Sequence, residues 1–491
     1  MPFSRRNVKN SGAALLVIIA GLALLLAVWF RAEWPAGGQD SWNHYLFARW
    51  AVDHPILLMD QWGKTLFTLP AIPFARFGIS GIYVFNILCA LATAWICYLC
   101  ARRLGMQRPW LAAALFLFQP IVFANTISGL TEPITALVLV VVCYLFASNR
   151  YLAAAILASF LPYFRSEGFV LLAAVLVYLA ARRKWKWLPW LLTGTLAFAI
   201  LGFAVFREWD WIIKANPYIA AGMNNDLPTY TDSFFHYAQN QRRITGPVVS
   251  GLLLLALCIL AVHAVHWLKR KTPEEKSLYS FWLLAPLFVS FFLAHSYLIW
   301  KGSLGTHGIL RVFYAVAPAA ALLAQYALHK IFSIDIKNLN RVLVAGVLVV
   351  LMLTLYPGAA MPYPWKKEAS IPGFPGEANV GKAVQFIREQ GLQHHTLLHQ
   401  LPYLNEKLDL DPWGGEKAGT YYIWSLDTRP GKDWLPDSSV MIWDNFHARR
   451  DAPMPLEKLR TLSEYHELKY FPSEADSIYD VRVFLKVKAK E

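Results

Sequence analysis

The sequence predicts a mainly α-helical, polytopic membrane protein of about eleven spans, ending in a separate extracytoplasmic α/β domain. Three observations carry that prediction. Of the 491 residues, 56% are apolar and only 16% charged, against roughly a quarter charged in an average soluble protein. The apolar residues gather into helix-length runs, and Lys and Arg fall on every second connection between them. After Tyr356 a stretch rich in Pro and Gly leads into a mixed, water-compatible sequence. An ordinary soluble enzyme and a disordered chain are both excluded.

The first run, Ser11 to Phe30, follows Arg5, Arg6 and Lys9 and offers roughly the 20 apolar residues that cross a bilayer core. No small-residue cleavage site precedes Arg31, so the run is predicted to stay as an anchor rather than leave as a signal peptide. Further spans are predicted near Ile79 to Cys100, Trp110 to Ala124, Ile134 to Ala147, Leu152 to Tyr163, Phe169 to Ala181 and Leu188 to Phe206. Pro247 to Trp267, Phe281 to Ile299, Ile309 to Leu328 and Val342 to Tyr356 complete the set. The resulting cytoplasmic pieces carry eighteen basic residues against three acidic ones. The N-terminus is therefore expected inside and the C-terminus outside. That bias holds essentially all of the +14 net charge. The charge reads as orientation and contact with membrane lipids, not as a nucleic-acid partner.

These boundaries divide the chain into a membrane domain over 1–356 with a long first outer loop at 31–78, a linker over 357–378, and an outer domain over 379–491. The outer domain is predicted to hold helices near Val380 to Gln390 and Leu456 to Leu462. Strands are predicted near Thr396 to His399, Val440 to Trp443 and Val481 to Val487. The five cysteines lie in or beside apolar runs without metal-ligand spacing, so neither a disulfide framework nor a zinc site is expected. His394, His395 and His399 lack neighbouring acids and are not read as a metal site.

The carboxylates sort by side. Ten fall on the outer connections of the membrane domain, which directs attention to that face. In the first loop, GGQDSW at 37–42 opens a segment, Ser41 to Val52, that reads as an amphipathic helix lying in the interface. Asp40 at its start is either a helix cap or a general base, and His44 follows one turn later, where a lone interfacial histidine is more often structural than substrate-binding. TEP at 131–133 places Glu132 where a span begins, a good helix start and equally a functional acid. FRSEG at 164–168 puts Arg165 and Glu167 at membrane depth, where ionisable groups are expensive and functional by default, a mutual ion pair being the plainer alternative. GTHGILRVFY at 305–314 brings His307 and Arg311 to the same face, where the guanidinium suits lipid headgroups or a bound phosphate.

Together these features resemble the GT-C superfamily of integral-membrane glycosyltransferases, over the whole chain. Asp40 in QDSW matches the family's first-loop acid; TEP, RSEG and RVFY with the downstream Pro318 resemble motifs at the outer ends of later spans. The resemblance implies inverting transfer of a sugar from a polyprenyl-phosphate-linked donor to a glycan, lipid or protein acceptor at the outer face of the cell membrane. Asp40 would act as general base, with Glu132, Arg165 and Glu167 in the catalytic set, and His44, His307 and Arg311 toward substrate. Many members carry an acidic pair in the first loop, whereas Ser41 follows Asp40 here. No metal ligand is therefore assigned, and a divalent cation stays open as a cofactor; Asp53 and Asp60 are the spare acids. Aromatics of the outer domain could stack on acceptor sugars, although most are expected in its core. The rivals are a multi-pass transporter or lipid flippase and, among enzymes, a lipid-linked oligosaccharide ligase or polymerase.

Overall fold

A computed structural model of the chain describes residues 5–32, 35–216, 231–270, 277, 279–304, 308–334, 339–354, 377–414, 419–423, 426, 435–450, 452, 454–473 and 477–488. The predicted linker up to Gly376, and with it Glu33, Asp226, His307, Trp424 and Trp434, lies outside them.

Every predicted span is helical. The helices are α1 (Arg5–Arg31), α2 (Gln39–Trp50), α3 (Thr65–Ala75), α4 (Gly78–Arg103), α5 (Leu111–Leu117) and α6 (Pro120–Asn125). They continue with α7 (Glu132–Ala147), α8 (Tyr151–Ala158), α9 (Leu161–Phe164), α10 (Gly168–Ala181) and α11 (Thr193–Phe206). After a few single turns come α12 (Gly246–Arg270), α13 (Ala285–Lys301), α14 (Ala317–Phe332) and α15 (Leu339–Thr354). Among the described residues six stretches, Asn10–Arg31, Gly78–Arg103, Trp185–Phe206, Gly246–Val265, Ser280–Lys301 and Leu310–Phe332, are long and apolar enough to cross a membrane. The chain is a multi-pass membrane protein. The remaining predicted spans are shorter or broken helices, so the structure does not by itself fix the count near eleven.

The breaks have local causes. Pro120 cannot donate to the preceding turn, so α5 stops and α6 starts at Pro120. The buried Gln119 side chain then donates to the carbonyls of Leu115 and Ala317, both at 3.0 Å, satisfying backbone that lipid could not. Pro162 stands in the first turn of α9, where its missing N–H is tolerated. In the core, α14 is buried along almost its whole length, packed against α5 and α12, while α7 packs along α4. The outer helices instead present Leu15, Ile19, Leu196, Ile200, Leu254 and Val262 outward. A continuous exposed apolar surface of this kind is stable only against lipid.

The first outer loop is folded, not strung out. The segment expected to lie as an amphipathic helix in the interface is α2, Gln39 to Trp50, two residues earlier at each end, and it is buried over most of its length inside the protein. Gly37 and Gly38 precede it at φ 89° and 56°, conformations that turn the chain sharply into the helix and that L side chains rarely adopt. The cap position of α2 is Gly38, and Asp40 stands inside the first turn as its acidic residue. Behind α2, Ala36 N–H donates to Ile127 at 3.0 Å. A Cβ at Gly129 would stand 2.2 Å from the Ser41 carbonyl. The loop therefore lies directly on the segment leading into α7.

The C-terminal α/β unit contains α16 (Glu377–Glu389), α17 (Pro402–Lys407), α18 (Leu456–Arg460) and strands β1 (Leu397–His399), β2 (Thr420–Tyr422), β3 (Val440–Asp444), β4 (Tyr465–Phe471) and β5 (Val481–Lys486). The five strands form one sheet in the order β2-β1-β3-β5-β4. β1 runs parallel to β2 and β3, and β5 runs antiparallel to β3 and β4. The three predicted strands are present. The two unpredicted ones are β2, only three residues long, and β4, whose interior side chains are exposed. Trp443 lies in the core of the unit, its indole N–H donating to the Met454 carbonyl at 2.8 Å, and most of the other described aromatics are at least half-buried.

Candidate active site

Four segments converge where α2 meets the ends of the neighbouring helices. Asp40 sits in the first turn of α2, and Glu132 is the first residue of α7. Arg165 follows α9 in extended backbone, φ −154°, and Glu167 precedes α10. Arg311 lies in a 3-10 stretch, Leu310–Val316, ahead of α14. Helix ends are where backbone groups are free and chain direction changes, so charged side chains from all four can meet there.

They form one continuous series of ion pairs. The Arg311 guanidinium meets the Asp40 carboxylate and donates to the Gly37 carbonyl at 3.1 Å. Its Nε lies 3.5 Å from Glu132 Oε1, which is also 2.9 Å from Arg165 Nη1. Arg165 also donates to Glu167 Oε1 at 2.8 Å and to Thr131 Oγ1 at 3.0 Å. Glu132 is wholly buried. Neither of its oxygens has hydrogen-bond geometry, so charge, rather than directed bonding, holds it between the two guanidiniums. The predicted Arg165–Glu167 pair is present, but as one link of a longer series.

Asp40 keeps 43% of its side chain exposed. Crowding by protein pushes its carboxyl upward, but Arg311 and the other cations outweigh that and hold it below the ordinary carboxylate range. Glu167 is likewise drawn down to about 2, because Arg165 overrides the penalty of burial. His44, one turn on from Asp40, stacks on Trp62 with centroids 4.5 Å apart, and its buried Nδ1 has no hydrogen-bond partner. Burial, only partly offset by Asp40, pushes His44 down to about 3 and leaves a neutral imidazole.

One participant is absent from the sequence expectations. Lys64 stands at φ 60° just before α3 and donates to Ser166 Oγ at 2.9 Å. Burial lowers it to about 8, with Glu167 and Asp60 pulling the other way. It lines a small cleft with Tyr163, Ser166, Phe198 and Trp211. Its signal in the sequence is that it is the single lysine of the first outer loop. The spare acids do not join the series. Asp53 is exposed, and one oxygen of Asp60 is taken by the N–H groups of Trp62 and Gly63, both at 2.7 Å. Among the described residues no group of three or more His, Cys, Asp or Glu could hold a metal ion. His307 lies outside the described residues, so the structure does not place it.

The arrangement sets three cations, Lys64, Arg165 and Arg311, against three carboxylates, Asp40, Glu132 and Glu167. The guanidiniums are already engaged by carboxylates, whereas Lys64 holds a hydroxyl and lines the cleft. Such a cluster can bind an anion beside a carboxylate that is ionised and reachable from solvent.

Over the whole chain the fold is shared with ArnT from Cupriavidus metallidurans. Crystal structures of that protein bound to undecaprenyl phosphate and in the apo state each align with a TM-score of 0.56 and 13% identity, covering 96% of this chain and 98% of that one. The family described as PIG-U, GPI transamidase subunit, matches residues 66–226, about a third of the chain. No curated protein matches the chain by sequence.

Proposed function

We propose that the protein is a membrane glycosyltransferase that takes a sugar from a polyprenyl-phosphate-linked donor and passes it, with inversion, to an acceptor at the outer face of the cell membrane. The observation that carries this reading is the ion-pair series from Asp40 to Glu167, with a lysine-lined cleft beside it. The ArnT structure holding undecaprenyl phosphate supports the class of donor.

In this reading Asp40 accepts the proton of the acceptor hydroxyl. The acceptor oxygen attacks the anomeric carbon, and the bond from that carbon to the lipid phosphate breaks, its electron pair leaving with the phosphate. Charge develops on the leaving oxygen, and Lys64 is the cation placed to receive it. Arg165 and Arg311 are placed to set the carboxylates, with Glu132 holding both. His44 and Arg311 face the substrate side. An anchor, a cytoplasmic N-terminus and an outer C-terminal unit follow from the charge bias of the sequence.

A transporter or flippase would use charged or broken elements near the bilayer midplane; here the charges stand at helix ends beside a folded loop. The PIG-U match supports a second reading, in which the fold serves as one subunit of a larger assembly and transfers nothing itself. The test is to incubate the purified protein with a panel of polyprenyl-phosphate sugars and candidate acceptors, and to follow donor consumption and product by mass spectrometry. Release of lipid phosphate together with a glycosylated product is expected. No turnover with any donor would favour the subunit reading.

A further inference from the structure

Helix α2 is held between two regions. Asp40 and His44, one turn apart, turn toward the ion-pair series and the Trp62 ring. Gln39, Trp42, Tyr45 and Arg49 turn instead to the C-terminal unit, and all four meet residues of α17 or the turn after it. The Gln39 side-chain carbonyl accepts from the Tyr403 N–H at 3.3 Å. Trp42 packs on Tyr403 with centroids 5.1 Å apart. Tyr45 Oη donates to Glu406 Oε2 at 2.7 Å, and the Arg49 fork meets Glu406 and Asp409. Phe47 of the same helix packs against Trp413 at 4.9 Å, and beyond the helix His54 Nε2 lies 2.7 Å from Asp411 Oδ2.

We infer that the C-terminal α/β unit is a positioning element for Asp40, and that Glu406 is its positioning residue. The inference rests on the reading of Asp40 as the base. The residue beside Asp40 and the residue two and a half turns along are both gripped by α17, so a shift of that unit shifts the carboxylate. Glu406 engages two positions of α2 at once, Tyr45 and Arg49, through one carboxylate oxygen, and its side chain is only 19% exposed. A charged hydrogen bond in that setting is directional and poorly replaced by water. Displacements of about 1 Å at a reacting group can lower a rate on the order of 10²-fold, so the grip has kinetic consequences without touching substrate.

The test uses the full-length protein in detergent or nanodiscs, with hydrogen exchange of the amides of residues 39–50 and steady-state transfer read on the same samples. Glu406→Ala is expected to speed exchange in 39–50 by about tenfold while leaving α4 and α14 unchanged, and to lower kcat by about tenfold with donor KM within twofold. Glu406→Gln, which keeps shape and an acceptor oxygen, should give an intermediate change in both. The charge-swapped pair Arg49→Glu with Glu406→Arg should recover most of each. Unchanged exchange in 39–50, or faster exchange with an unchanged kcat, would overturn the inference. Exchange needs no turnover, so it can still overturn the inference if the wild-type protein transfers no sugar; that second result would count against the proposed activity alone.

Discussion

Two sets of ion pairs meet on α2, and they are built from the same residue types in opposite surroundings. On one side Asp40, Glu132, Arg165, Glu167 and Arg311 form a series anchored on Glu132, which has no exposed side-chain surface. On the other, Arg49 reaches Glu406 at 19% and Asp409 at 78% side-chain exposure. Coulomb attraction rises as water is removed, and so does the cost of leaving a charge alone. The first set must therefore stay complete to exist at all, which gives a rigid floor for chemistry. The second can loosen without disrupting the fold, which suits a contact that adjusts rather than supports.

The comparison is tested most severely at Asp40. Asp40→Asn keeps the shape but removes the base, so transfer should fall by about 10²- to 10⁴-fold while the protein still inserts and folds. Product formation by mass spectrometry, beside size-exclusion behaviour like that of the wild type, checks it. Near-normal transfer would remove the catalytic meaning from the buried set and leave it purely structural.

Glu132 tests the structural half. Glu132→Ala deletes a carboxylate shared by two guanidiniums and leaves charge buried without its partner, which typically costs about 3–5 kcal/mol. A reversible unfolding titration in mixed micelles should show that loss. A change under 1 kcal/mol would mean that water reaches the series after all and that the two sets differ less than their burial implies.

Lys64 provides the pH test. Its folded pKa is depressed to about 8 by burial, so it is a cation below that value and loses its charge as pH rises through it. If it receives the donor phosphate, donor KM should climb by up to about tenfold per pH unit above 8. Asp40 and Glu167, both held below their ordinary range, stay ionised throughout. Lys64→Arg, whose guanidinium stays charged to beyond about pH 12, should flatten that limb. A limb that persists unchanged in Lys64→Arg would assign the titration to another group.

The sequence made the membrane half legible because its signals are redundant. Apolar length, alternating basic loops and helix-starting Pro residues all mark the same boundaries, and charges stranded at those boundaries single out Glu132, Arg165 and Glu167. Arg311 was visible as a charge at a span's outer end, but its pairing with Asp40 joins residues 271 apart and has no local signature. Lys64 was missed for a related reason: a lone lysine carries no spacing, and its importance comes from the burial around it. In the C-terminal unit β3 and β5 are evident from their apolar residues, whereas β2 is too short and β4 too exposed for periodicity to mark it. The grip of α17 on α2 could not be read at all. Glu406 lies in an unremarkable polar run, and its role appears only once the sheet carries it back to the first loop.

The smallest expected effect separates exposure from contact within the second set. Arg49 meets Asp409 as closely as it meets Glu406, so contact alone would rank the two carboxylates equally. Burial ranks them apart: an exposed pair is screened by salt, must immobilise two long side chains, and typically contributes only about 0.2–1 kcal/mol. Asp409→Ala should therefore leave exchange in residues 39–50 and the transfer rate within about twofold of wild type. The small residual effect should vanish at about 1 M salt, where the screening length falls to about 3 Å, while the effect of Glu406→Ala persists there. If Asp409→Ala matched Glu406→Ala at both salt concentrations, the grip on α2 would depend on the number of charges facing Arg49, and shielding from water would no longer distinguish the two sides of the helix.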